Sequence, residues 1–240
     1  MRLSFFASSL FLAASACTIR TGDDDTSRYE TRDLAPSFVA TSDGNKVTVV
    51  AQLYAHGGGL HGLALGDGDQ LQVTLDGAPV PLAKDGDAYQ GRVAQPVQPA
   101  HGLLQFLFLR TKRQDSLTAS TVFLHDPFTV ESSPSSWSAG GELAVRTSGI
   151  KATEVDGELE GSCVADEHAA PKVLIGSKGD VVVDASRVHL VEAPDCEVSV
   201  SLRLTKQGAV DPTLGVPTAI EGGGGVRAVQ ERRFSVHVSP

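Results

Sequence analysis

Residues 196–204 read CEVSVSLRL. Cys196, Val198, Val200, Leu202 and Leu204 fall on one parity, and Glu197, Ser199, Ser201 and Arg203 on the other. A β-strand turns successive side chains to opposite faces, so this alternation predicts a strand with one apolar side and one wet side. The same parity runs through VDGELEGSC (155–163), where Cys163 lines up with Val155 and Leu159. Two inward thiols in one β domain are expected to bridge. Closing a loop of about 33 residues contributes roughly 3–4 kcal/mol in the chain-entropy picture. A pair of reduced, buried thiols is the other reading these residues leave open.

Period two also dominates on either side of this stretch. KVTVVAQLYA (46–55) is β-branched and apolar, and DQLQVTLDG (69–77) sets Leu71, Val73 and Leu75 against Gln70, Gln72 and Thr74. PVPLAKDGDAYQGRV (79–93) predicts a strand, a DGD turn and a strand. GLLQFLFLRT (102–111) is dense enough for burial on both faces, and ASTVFLHDPFTV (119–130) closes the block. ESSPSSWSAGG (131–141) then interrupts with polar, Pro- and Gly-bearing linker chemistry. A second series of strands follows, including KVLIGSK, DVVVDASRVHL and VRAVQERRFSVHV. No window repeats apolar residues at the helical period over three turns. ADEHAA (165–170) could make one turn of helix, stopped by Pro171. The expected fold is all-β: two consecutive antiparallel β-sandwich domains, 34–130 and 137–240, joined by a linker at 131–136. A single large barrel is the competing fold.

The amino terminus predicts export. Arg2 precedes the apolar stretch FFASSLFLAA (5–14), and ASA stands just before Cys17. A basic start, a short apolar segment and small residues ahead of the cut form a secretory signal over residues 1–16. That apolar segment is too short to span a bilayer, which takes about 20 residues. A cysteine directly after the cut resembles a bacterial lipobox, in which the thiol carries diacylglycerol. Ala14 departs from the leucine usual at that position, and ordinary secretion with a free Cys17 thiol is the alternative. Thr18 in place of aspartate removes the usual inner-membrane retention signal and leans the expected location towards the outer membrane. Residues 17–33 (CTIRTGDDDTSRYETRD) are polar and aperiodic and read as a solvated tether.

Composition narrows the partners. The 240-residue chain carries a formal charge of −9, which loss of Arg2 with the signal takes to −10. An acidic chain without a compact basic patch repels phosphate backbones, so nucleic acid is not an expected partner. The expected partners are the membrane, through lipid on Cys17, and an envelope protein.

In their turns and core patterns, both halves resemble a family of bacterial envelope lipoproteins with immunoglobulin-like domains. The residues behind this are LGDGDQLQVTLDG, DAYQGRV and VFLHDPFTV in the first half. In the second they are GSC, DCEVSVSLRLTKQGAVDPTLG and RAVQERRFSVHVSP. The resemblance implies immunoglobulin-like sandwiches and an export route, and brings no activity with it.

HGGG (56–59) looks like the lipase motif that lends an oxyanion-hole amide, but its required partner, G-x-S-x-G on a strand-to-helix turn, does not occur in the sequence. Gly57, Gly59 and Gly62 spell a dinucleotide fingerprint, yet turn and strand follow instead of a helix. His56 and His61 lack a fixed third ligand. Acidic turns at 42–45, 66–69, 75–77, 84–87 and 155–157 lack the spacing of a calcium loop and match tight β-turns. Trp137 is expected to pack at the domain junction. Arg227, Arg232 and Arg233, after the glycine run at 222–225, are the candidate partner contacts. No cofactor, metal or catalytic residue is expected. The leading reading is a non-enzymatic, lipid-anchored interaction or scaffolding protein. A glycan- or small-molecule-binding module is the alternative.

Overall fold

The computed structural model describes residues 24–56, 61–94, 102–113, 117–138, 141–151, 154–164, 170–176, 180–184, 196–215 and 224–239. The chain forms β1 (Leu34–Ser42), β2 (Lys46–Ala55), β3 (Asp69–Leu75), β4 (Ala78–Val80), β5 (Leu82–Asp85), β6 (Ala88–Ala94), β7 (Leu103–Arg110) and β8 (Leu117–Phe123). It continues through β9 (Thr129–Ser132), β10 (Ser136–Ser138), β11 (Glu142–Ser148), β12 (Asp156–Gly161), β13 (Lys172–Ile175), β14 (Val181–Asp184), β15 (Cys196–Gln207) and β16 (Gly225–Ser239). Among the described residues the only helical pieces are 3₁₀ turns at Thr26–Arg28 and Thr31–Asp33. The protein is all-β.

Three sheets build two sandwich lobes. The largest runs in the order β12-β15-β16-β1-β2-β6-β5, with β10 also on β16; the others are β13-β14-β11-β9 and β4-β3-β7-β8. In the first lobe, Phe38, Val47, Val49 and Ala51 face Val73, Leu104, Phe106 and Val122 across the gap between sheets. The Phe38 and Phe106 rings stack there, with centroids 4.8 Å apart. In the second lobe, Leu143, Val145, Val181 and Val183 close over Leu159, Val198, Val200 and Leu202. Alternation drives both, because each fully buried Leu, Val or Phe contributes about 1.5–3 kcal/mol by leaving water. Two cores between open sheets replace the single-barrel alternative.

The lobes are not independent beads. β15 and β16 pair over twelve positions, from Cys196↔Val238 to Gln207↔Arg227. One end of this hairpin serves each lobe. On one face of β16, Val226 and Ala228 enter the first core, and Val236 and Val238 enter the second. Polar Gln230 and Arg232 occupy the same face in between. β16 also pairs in parallel with β1, Ser37↔Gly225 through Ser42↔Gln230, so a late strand completes the first lobe.

The expected boundaries therefore shift. Phe128 is fully buried in the second core, and β9 pairs with β11 there. The chain thus crosses between lobes at 124–127, and the polar stretch 131–136 lies inside the second lobe as the connection from β9 to β10. Pro and Ser mark a hairpin connection as readily as a linker. The first lobe, expected to end at residue 130, also takes in Leu214, Val226 and Ala228. The expected solvated tether is corrected too: residues 24–33 dock on the first lobe, with Thr26 and Thr31 buried. The 165–170 turn is mostly outside the described residues.

Candidate functional site

The groove between the lobes brings together an exposed aromatic ring, lysines, a carboxylate and an imidazole. Its position follows from the parity of β8. Thr118, Ser120 and Val122 turn inward, which sends Phe123 out, 51% exposed. Phe106, Phe108 and Phe128, by contrast, are fully buried. The Lys206 ammonium lies 5.5 Å from the Phe123 ring centroid. His125 and Leu204 line the same hollow of about 280 Å³, and Lys151 reaches Asp126 at 2.7 Å beside it. Gly149 permits the tight turn behind it: φ is +84°, and a Cβ would sit 2.7 Å from the Pro127 carbonyl oxygen. A second hollow of about 520 Å³ lies across this turn, bordered by Arg146, Ile150 and Asp180. An aromatic face, a cation and an imidazole suit recognition by stacking and charge.

The predicted residues separate into those the structure engages internally and those it leaves to solvent. Cys163 and Cys196 form a disulfide, Cα–Cα 6.1 Å. They extend the β12–β15 register in which Gly161 faces Val198. The bridge therefore joins neighbouring strands of one sheet, rather than crossing the sandwich as in antibody domains. Cys17 lies outside the described residues. Arg232 is a brace: its Nε donates to the Phe128 carbonyl oxygen at 2.6 Å, its Nη1 to the Glu231 and Ser42 carbonyls, and its guanidinium covers the Phe128 ring at 4.8 Å. Burial pulls that guanidinium below its ordinary pKa, against the pull of Asp43. Arg233 is half exposed and pairs with Glu231 at 3.2 Å and Glu160 at 3.6 Å. Arg227 stands opposite Gln207, and its Nε has no hydrogen-bond partner among the described residues. The three arginines thus face different surroundings and do not form a patch.

His56 and His61 flank a segment outside the described residues; the His56 amide donates to the Asp33 carbonyl at 2.7 Å, and His61 is exposed. Among the described residues no three metal-ligating side chains cluster. The acidic turns work as turns. Asp76 and Gly77 both adopt positive φ between β3 and β4, and Asp76 Oδ1 accepts from the Gly102 and Leu103 amides. Asp43 Oδ1 similarly accepts from the Asn45 and Lys46 amides. One expected turn is corrected. Asp156 and Gly157 lie within β12, where a Cβ on Gly157 would come 2.5 Å from Val173, so the glycine permits close packing. Trp137 packs in the second core and donates from Nε1 to the Gly141 carbonyl.

Two polar arrangements escaped sequence reasoning. Arg110, at the end of the dense apolar run, continues its inward parity and is 0% exposed. It donates to the Thr26 carbonyl at 2.6 Å and to Thr31 Oγ1 at 3.0 Å, and it pairs with buried Asp69 at 3.4 Å. Asp69 in turn accepts from Thr26 Oγ1 at 2.6 Å. The signal was an arginine on the same parity as Phe106 and Phe108. The other arrangement covers the free edge of β8. Thr121 exchanges backbone hydrogen bonds with Ala209, and Asp211 Oδ2 accepts from the Ala119 amide at 2.7 Å.

No family model matches the chain, and no curated protein matches it. Among solved structures it is similar to a chimeric titin Z1Z2 functionalised with a decorin-derived KLER peptide, at 13% identity over 87% of this chain and 98% of that one, TM-score 0.25. It is similar to titin A168–169 at 11% identity over 86% and 100%, TM-score 0.27. It is also similar to Sidekick-1 immunoglobulin domains 1–4 at 9% identity, TM-score 0.27; there it covers 87% of its own length and 50% of that chain. The fold stands on its own sheets and cores. Among the described residues, no helix is long and apolar enough to cross a membrane.

Proposed function

We propose that the protein is a non-enzymatic, lipid-anchored component of the bacterial cell envelope, held by acyl chains on Cys17, that binds an envelope protein through the groove between its lobes. The anchor reading rests on the basic start, the short apolar run and the cysteine placed just after ASA. Thr18 directs the anchored protein towards the outer membrane. The observation that carries the binding reading is Phe123, half exposed beside Lys206 where the chain fixes two lobes against each other. Exposed aromatics next to cations anchor protein contacts well, because a rigid ring buries much area at little entropic cost.

Arg110, Asp69 and Arg232 are engaged in holding backbone and sheet together. The test is affinity capture from envelope extract with wild type and Phe123→Ala, with thermal unfolding as a control. A partner captured by wild type and lost by an equally stable variant supports the proposal. Equal capture by both removes the groove. Phe123 also favours a second reading, since an exposed ring can stack on a sugar. Glycan-array binding that Phe123→Ala abolishes would select that reading.

A further inference from the structure

We propose that the tip of the first lobe faces the lipid surface and that the shared hairpin holds the second lobe at the far end of the molecule. The tip is built from residues 24–33, the 66–69 turn and residues 110–113. The inference rests on Cys17 as the anchor, and its own content is the orientation and the short reach.

Reach follows from where the docked chain begins. Asp24 stands seven residues after Cys17. Seven residues span at most about 25 Å even when fully extended. An undocked chain up to Leu34 would span as much as about 60 Å. What removes the difference is the docking of residues 24–33. Arg110 holds Thr26 and Thr31, the Thr26 amide donates to the Ala64 carbonyl, and the Gly66 amide donates to Thr26 Oγ1. Arg113 adds a bond to the Ser27 carbonyl and a 2.8 Å pair with Glu30.

The charge of this tip suits a headgroup surface. Arg28 pairs with Asp24, Lys112 with Asp67 and Arg113 with Glu30, and across residues 24–33, 66–69 and 110–113 five basic side chains stand against six acidic ones, so the tip is close to neutral. The strong negative charge of the chain lies mostly elsewhere, which spares the tip repulsion from anionic lipid. From the tip the molecule leads away from the anchor. β1 runs from Leu34 to Ser42, where Arg232 braces the junction, and β16 continues into the second lobe. Fifteen strand residues advance roughly 50 Å. The Cys163–Cys196 bridge marks the distal end.

The experiment uses the full-length lipidated protein in vesicles of phosphatidylethanolamine and phosphatidylglycerol. One new cysteine, Lys112→Cys at the tip or Glu197→Cys at the distal end, carries a donor fluorophore, and the lipid carries the acceptor. Transfer from position 112 is expected to exceed that from 197 several-fold. Ten Gly/Ser residues inserted after Arg20 should lower transfer from position 112, without touching the fold. Equal transfer from both positions, or no effect of the insertion, overturns the orientation. Intact mass separates the two ideas. Protein without acyl chains overturns the anchor and the orientation together, whereas acylated protein with equal transfer overturns the orientation alone.

Discussion

Arg110 shows how much one buried cation can organise. Its guanidinium answers Asp69, a threonine hydroxyl and a backbone carbonyl, so the charge is spread over three acceptor groups. Breaking such a pair from one side strands the other charge in the interior, at a cost of about 3–5 kcal/mol. Arg110→Leu is therefore expected to lower the free energy of unfolding by that amount in urea titration, and to open Arg28 and Arg32 to trypsin. Arg110→Leu combined with Asp69→Asn should recover part of the loss. Glu231 yields a pH prediction. Burial works against its carboxylate, but hydrogen bonds and charge from Arg203 and Arg233 outweigh burial and hold its pKa below the ordinary value. A depressed folded pKa adds stability that is present above the unfolded pKa and lost as pH falls through the folded value. Thermal stability should accordingly drop as pH falls below about 4.3, the ordinary glutamate value. Glu231→Gln should flatten that acid limb while leaving Arg203 paired with Glu158.

At the level of strands, much was readable in advance. The alternation in 196–204 placed five residues inside, and all five are buried. The cysteine parities foretold the bridge. β8 was not readable, because its inward positions are Thr118, Ser120 and Val122, and hydrophobic parity points the wrong way when hydroxyls are buried. The groove was missed for the same reason, since it exists only because Phe123 faces out. The plug on β8 was equally hidden. An uncovered edge offers unpaired amides to other chains, and here residues 208–211 cover it. Gly208 is what lets them approach, since a Cβ there would meet the Thr121 carbonyl oxygen at 2.3 Å. Burial opposes the Asp211 carboxylate, yet hydrogen bonds from Thr213 and Ala119 hold its pKa below the ordinary value. Asp211→Ala removes the acceptor for the Ala119 amide and should cost about 1.5–3 kcal/mol, as for other charged hydrogen bonds. Sedimentation velocity should then show stronger concentration-dependent self-association for the variant than for wild type.

For the molecule as a whole, the shared hairpin decides behaviour. Two beads on a linker would melt separately, whereas here β16 supplies a strand to both cores. Calorimetry is expected to give one transition with matching calorimetric and van't Hoff enthalpies, which is the mark of a single cooperative unit. Two resolved transitions would mean that the lobes unfold independently. Composition could indicate two cores but not a strand common to them, because pairing between residues 37–42 and 225–230 leaves no local pattern. The docking of residues 24–33 was invisible for a similar reason: its partners, Ala64, Gly66 and Arg110, are far along the chain.

That late pairing has a consequence for biogenesis. A chain threaded from its amino terminus delivers β1 early and its neighbour β16 almost last. The first lobe must therefore wait, with one flank of β1 unsatisfied, until nearly the whole polypeptide has emerged. During that interval it depends on chaperones or on speed, and truncation anywhere before residue 225 leaves it permanently unfinished.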